Sequence, residues 1–176
     1  DYRLFVNTPL DGSVILTVLS KKLLEVGMRL NSEKTICSND VISNAIKPDK
    51  AYWLSVPTQH KKPQQLLLLI RDLSKRYPDS GTLRKELQRF YENMAENYQN
   101  IDDFLSDISI VTDITYNNPT TYTTSFAIIS KFLSMIDAVA DKDYVIDSIN
   151  QKFEKLPNTG FMQIWFKRML GNTRPD

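Results

Sequence analysis

A chain of 176 residues with 41% apolar and 24% charged composition can build a packed globular core. A formal net charge of +1 excludes a generally basic nucleic-acid binder but not a local basic patch. Residues 1–60 hold seven Lys/Arg against six Asp/Glu, residues 61–100 eight against five, and residues 101–176 seven against ten, so the positive excess lies in the middle.

In chain order, Tyr2–Asn7 (YRLFVN) alternates and carries aromatic and β-branched residues, which predicts a strand. Asp11-Gly12 after Pro9 predicts the cap of a helix beginning near Ser13. Leu16, Leu19, Leu23 and Val26 form its apolar stripe, with Thr17, Lys21 and Glu25 opposite. Gly27 is suited to stop that helix, because glycine accepts the left-handed conformation common at helix ends. Met28–Leu30 then predicts a short strand before the polar turn Asn31–Thr35 (NSEKT). The expected unit is strand–helix–strand, half of a ferredoxin-like sheet whose other strands the later sequence does not supply. Asn39–Ile46 reads as a short helix, with Tyr52, Trp53 and Leu54 expected to anchor it to the sheet.

After Pro63 the pattern is helical to the end. Leu66, Leu69, Ile70 and Leu73 form one stripe, Leu83, Leu87, Phe90 and Met94 a second, and Phe126, Ile129, Phe132 and Leu133 another. The turns YPDSGTL, NPTTYTT and LPNTGFM place Pro78, Pro119 and Pro157 41 and 38 residues apart. Each proline closes one helix before a turn that opens the next. A period near 40 residues fits either a HEAT-like stack of helix pairs or an irregular bundle with Pro-Asn/Asp turns. The last helix, FMQIWFKRML, is apolar nearly all round, so Trp165 or Phe166 is expected at a surface. The predicted fold class is α+β and mostly α: a partial palm over residues 1–38, a connector over 39–62, and a helical domain over 63–176.

The single cysteine, Cys37, excludes an intramolecular disulfide and suits a reducing compartment. The aliphatic run Leu66–Ile70 is too short to span a bilayer, and no signal-peptide pattern is visible, so a cytoplasmic location is expected. The five glycines form no phosphate-cradling loop, and the lone His60 has no spaced partners for zinc.

DYRLFVN, the helix after it and GMRLNSEKT together resemble the palm of reverse transcriptases, which are RNA-directed DNA polymerases. In that family an aromatic-x-Asp-Asp hairpin precedes a strand, a helix and the glycine-containing turn called motif D. The resemblance implies that Asp1 is the second aspartate of the hairpin, and so a catalytic and metal-holding residue. It implies magnesium in an intact parent, because two divalent ions held by carboxylates commonly serve phosphoryl transfer. Asp1 alone cannot hold such a pair, so the isolated chain is expected to be inactive and without a bound cofactor. Lys34 matches the motif D lysine, whose cation can stabilise or protonate departing pyrophosphate; read by itself, it is an ordinary surface lysine. The strong likeness covers residues 1–35. A looser one, in KPDKAYWL and the helical remainder, is to bacterial antiphage reverse transcriptases of the abortive-infection type. The usual primer-grip hairpin is not visible after Thr35.

A thumb following such a palm should hold a template or product strand of RNA or DNA by its phosphates. Arg71, Lys75, Arg76, Arg84, Lys85 and Arg89 are the candidate contacts, since the two stretches avoid the apolar stripes. The competing expectation for them is a solvated helix face with Asp72, Glu86 and Glu92 interspersed. A second expectation for the whole chain is a HEAT-like scaffold that binds proteins or self-associates through uncovered apolar groups such as Trp165.

Overall fold

Thr8 opens the first helix, earlier than the Asp11-Gly12 signal suggests. Its backbone is extended and its hydroxyl oxygen accepts the Asp11 backbone N–H at 3.2 Å. The same hydroxyl donates to the Asp11 carboxylate at 2.8 Å, and Pro9 fills the first helical position, where a missing N–H costs nothing. The computed structural model describes residues 3–59, 61–97, 104–136, 138–157 and 159–173. Helix α1, Pro9–Glu25, closes on Gly27 at φ 75°, with Met28 N–H on the Leu23 carbonyl and Gly27 N–H on that of Leu24. That pair of bonds is the Schellman end that the glycine predicts.

The chain divides into two compact units, residues 1–45 and 46–176. In the first, α1 is followed by a 3₁₀ turn, Ser32–Lys34, and by α2, Val41–Ala45. The strands expected over Tyr2–Asn7 and Met28–Leu30 are not present among the described residues: Arg3–Val6 and Met28–Leu30 have no regular structure. A strand is defined by its ladder, and among the described residues neither stretch exchanges ladder hydrogen bonds with another. Alternation alone could not supply one. The stripe Leu16, Leu19 and Leu23 is half-covered, Val26 is 65% exposed, and no residue of α1 is fully buried.

The second unit is all helix among its described residues: α3 (Pro48–Ser55), α4 (Pro63–Arg76), α5 (Gly81–Asn97), α6 (Phe104–Asn117), α7 (Tyr122–Ser134), α8 (Val139–Phe153) and α9 (Gly160–Thr173). Its packing follows a rule: α4 lies on α6 and α6 on α8, while α5 lies on α7 and α7 on α9. The pairs α4/α5 and α6/α7 join these two rows, and α3 lies against α4 and α5. The protein is therefore mostly helical, and its second unit has two layers over one core. Phe126, Phe132 and Phe153 are among its largest fully enclosed side chains. The four-residue stripe on α5 is buried throughout. On α4 the buried line is Leu67, Ile70 and Leu73, whereas Leu66 and Leu69 lie at its margin.

The turns with proline are tied to one another. Asp79 has φ 54°, an unusual left-handed value for a residue with a side chain, and its N–H donates to the buried Asn118 carboxamide at 2.8 Å. In return, the Asp79 carboxylate accepts the Thr120 backbone N–H at 3.1 Å and the Thr120 hydroxyl at 2.8 Å. Asp79 and Thr120 each follow the proline of their turn, so equivalent positions of successive turns are bonded together.

Farther along α4 and α6, Asp113 accepts from Arg71 Nε at 2.5 Å and from Lys152 Nζ at 3.5 Å, which links α4, α6 and α8. Burial pushes the Asp113 carboxyl up, but the Arg71 and Lys152 cations outweigh it and hold it below the usual carboxylate value. Asp49 of α3 is 8% exposed and accepts the Thr82 N–H at 3.2 Å, so one helix supplies the end group of another. Burial opposes its charge, and the hydrogen bonds from Thr82 and from backbone N–H groups carry its titration downward.

Candidate nucleic-acid interface

Helix α4 buries Leu67, Ile70, Leu73 and Ser74, and α5 buries Leu83, Leu87, Phe90 and Met94. Because the two helices pack through these sides, their exposed sides look away from each other. The six cations expected to form one thumb face are therefore split between two layers.

On α4 most of the charge is already paired. Arg71 is turned to Asp113 on α6. Arg76 bonds Asp72 at 2.8 Å and lies 5.2 Å over the Tyr52 ring. Asp72 also accepts the Tyr52 hydroxyl, and this bond is the main reason that its carboxyl titrates low and the phenol high. Tyr52 and Trp53, expected to hold a connector to the palm, pack on the helical core of their own unit, and Leu54 is 69% exposed. Lys75 is exposed and adds to the depression of Asp72.

Helix α5 differs. Arg84 and Lys85 are exposed, and neither takes part in an ion pair among the described residues. Arg89 reaches back one turn to Glu86 at 3.1 Å, whose side chain is only 10% exposed.

Two neighbours extend this face. Helix α7 shows Thr123, Thr124, Ala127 and Ser130 beside it, all small. Gln88 accepts the Thr124 hydroxyl at 3.2 Å, and Lys131 Nζ stands 5.5 Å over the Tyr91 ring, so both interactions sew α5 to α7 along one edge. Beyond α7, helix α9 exposes Lys167 and Arg168, the latter 5.0 Å over the Trp165 ring. Phe161 and Ile164 are each 58% exposed on the same helix. Sequence reading missed Lys167 and Arg168, because they lie in an acidic third where a linear charge count dilutes them. The row α5–α7–α9 puts the helix that carries them in the same layer as α5.

Asp1 and His60 lie outside the described residues. Lys34 is exposed at the end of the 3₁₀ turn, which Asn31 caps by accepting Glu33 N–H at 3.0 Å. Among the described residues no three His, Cys, Asp or Glu side chains converge as metal ligands. No described helix is long and apolar enough to cross a membrane. Compared with known proteins, the chain matches no family model and no curated relative.

Proposed function

We propose that this chain is part of an RNA-directed DNA polymerase, possessing the end of the palm with Lys34 and a HEAT-like helical module that holds a nucleic-acid strand by its phosphates. The polymerase part of the reading rests on the sequence likeness over residues 1–35. The binding part rests on one observation: Arg84 and Lys85 of α5 are exposed without carboxylate partners among the described residues, on the same outer row as Lys167 and Arg168. Phosphates need cations of this kind and no base-specific geometry. The helix-pair order and the bonded proline turns support the HEAT-like description. In an intact polymerase, the module would keep template or product near carboxylates that hold magnesium, in a cytoplasmic setting such as antiviral defence.

The test is fluorescence anisotropy with a labelled oligonucleotide over a range of salt. Binding should weaken steeply with salt. The double variant R84E/K85E should lower the slope of log K against log salt by about 0.7 for each single-strand phosphate that is no longer neutralised. Charge reversal of Lys75, on the other layer, should leave that slope unchanged. Binding indifferent to salt, or equally sensitive to both changes, refutes the reading.

A second reading, a scaffold that self-associates, is favoured by α1, where Leu10 is 74%, Val14 57% and Val18 56% exposed. Size-exclusion chromatography with and without a short RNA–DNA duplex separates the two. Self-association that nucleic acid does not alter supports the scaffold.

A further inference from the structure

We infer that the α5–α7–α9 face takes single-stranded rather than duplex nucleic acid, with a base stacked on Phe161; this rests on the phosphate-binding reading and names its substrate. The face has two unlike sides. One is the cationic side of α5, with Arg84 and Lys85. The other is a stripe on α9 at helical spacing, Phe161, Ile164, Trp165 and Arg168, in which the aromatic and aliphatic groups precede the cation. Between them in the row, α7 presents the short side chains of Thr123, Ala127 and Ser130.

Phe161 is held in place while one side stays open. Its ring lies 6.0 Å from that of Tyr122, which is buried, and meets Trp165 edge-on at 6.5 Å and 83°. Arg168 covers Trp165 in turn. A large ring that is 58% exposed yet fixed by two others is a stacking platform with little ordering left to do. A duplex offers phosphates outward but keeps its base faces in its own stack, so Phe161 and Ile164 would face only water or sugar. A single strand offers both kinds of surface together, π-faces and phosphates, matching both sides of this face. A protein partner for the α9 stripe would need to be apolar and acidic at once, and would leave Arg84 and Lys85 unused.

The experiment compares an oligothymidylate with a hairpin duplex of equal length on the intact chain, using wild type, F161A and F161L. Wild type should bind the single strand more tightly. F161L keeps apolar bulk against Tyr122 but lacks a π-face, and both variants should lose roughly 5- to 150-fold in single-strand affinity, with duplex affinity unchanged. F161W should restore binding. Equal affinity for the two forms, or unchanged single-strand binding by F161L, overturns this inference while phosphate binding stands. If wild type binds neither form, the phosphate reading itself fails. A change of oligomeric state in F161L without a change in binding makes the stripe a protein interface, which also overturns the inference.

Discussion

Substitutions at Asp79 isolate the bond between successive turns. In the folded protein its carboxylate accepts two hydrogen bonds from Thr120 while its backbone sits at φ 54°. Asparagine keeps an acceptor oxygen and tolerates left-handed backbone, so D79N should stay within about 1 kcal/mol of wild type. Glycine removes both side-chain bonds, each worth about 0.5–1.5 kcal/mol, and its ease at positive φ is roughly offset by its freedom in the unfolded chain. D79G should therefore be destabilised by about 1–3 kcal/mol. Alanine forgoes the same bonds, keeps the Cβ that glycine lacks, and has no short polar side chain of the kind that lets Asp and Asn offset part of the roughly 1–2 kcal/mol cost of the left-handed region. The assay is urea unfolding followed by far-UV circular dichroism, with the midpoints compared at a common slope. The predicted order of stability is D79N, then D79G, then D79A. An alanine variant as stable as the asparagine one would defeat this account, because it would mean that neither the Thr120 bonds nor the backbone angle matters.

Other substitutions follow from the same geometry. N118A removes a fully buried carboxamide that accepts from Asp79 and donates to the Ile114 carbonyl at 2.8 Å; urea unfolding should show a destabilisation of about 2–4 kcal/mol, since both partners are left unmet. F132A empties a fully buried position on α7 and should cost about 3–5 kcal/mol by the same measurement. The folded pKa of Asp113 is lowered, so its contribution to stability is present above the unfolded value of about 3.9 and disappears as pH falls through the folded one. D113N should accordingly be less stable than wild type at neutral pH, and the gap in unfolding midpoint should shrink below about pH 4.

Much of the helical unit is legible in the amino-acid order. Leu83, Leu87, Phe90 and Met94 recur at helical spacing and are all buried, and prolines 78, 119 and 157 each fall shortly after a helix ends. Gly27 stops α1 as its conformational freedom suggests. Other features depend on distant partners. The alternation in YRLFVN resembles a strand, but pairing requires a second stretch of chain, and no local pattern shows whether one is beside it. The basic run 61–89 looks like one patch because residues near in sequence are counted together; the turn at 77–80 then sends its two halves to opposite layers. Asp113 lies 42 residues from Arg71 and 39 from Lys152, which hides the pairing that neutralises one of the six expected phosphate-binding cations. Lys167 and Arg168 are obscured for the converse reason, being distant in sequence from α5, whose layer their helix shares.

Ultraviolet cross-linking of an oligothymidylate to the chain, followed by mass spectrometry of the modified peptides, would show where a bound strand lies. The adducts should fall in α5 and α9, over 81–94 and 160–170, and Phe161 or Trp165 should carry the strongest. Adducts concentrated on the outward sides of α4 and α8 would overturn the proposal that the α5–α7–α9 face is the binding surface.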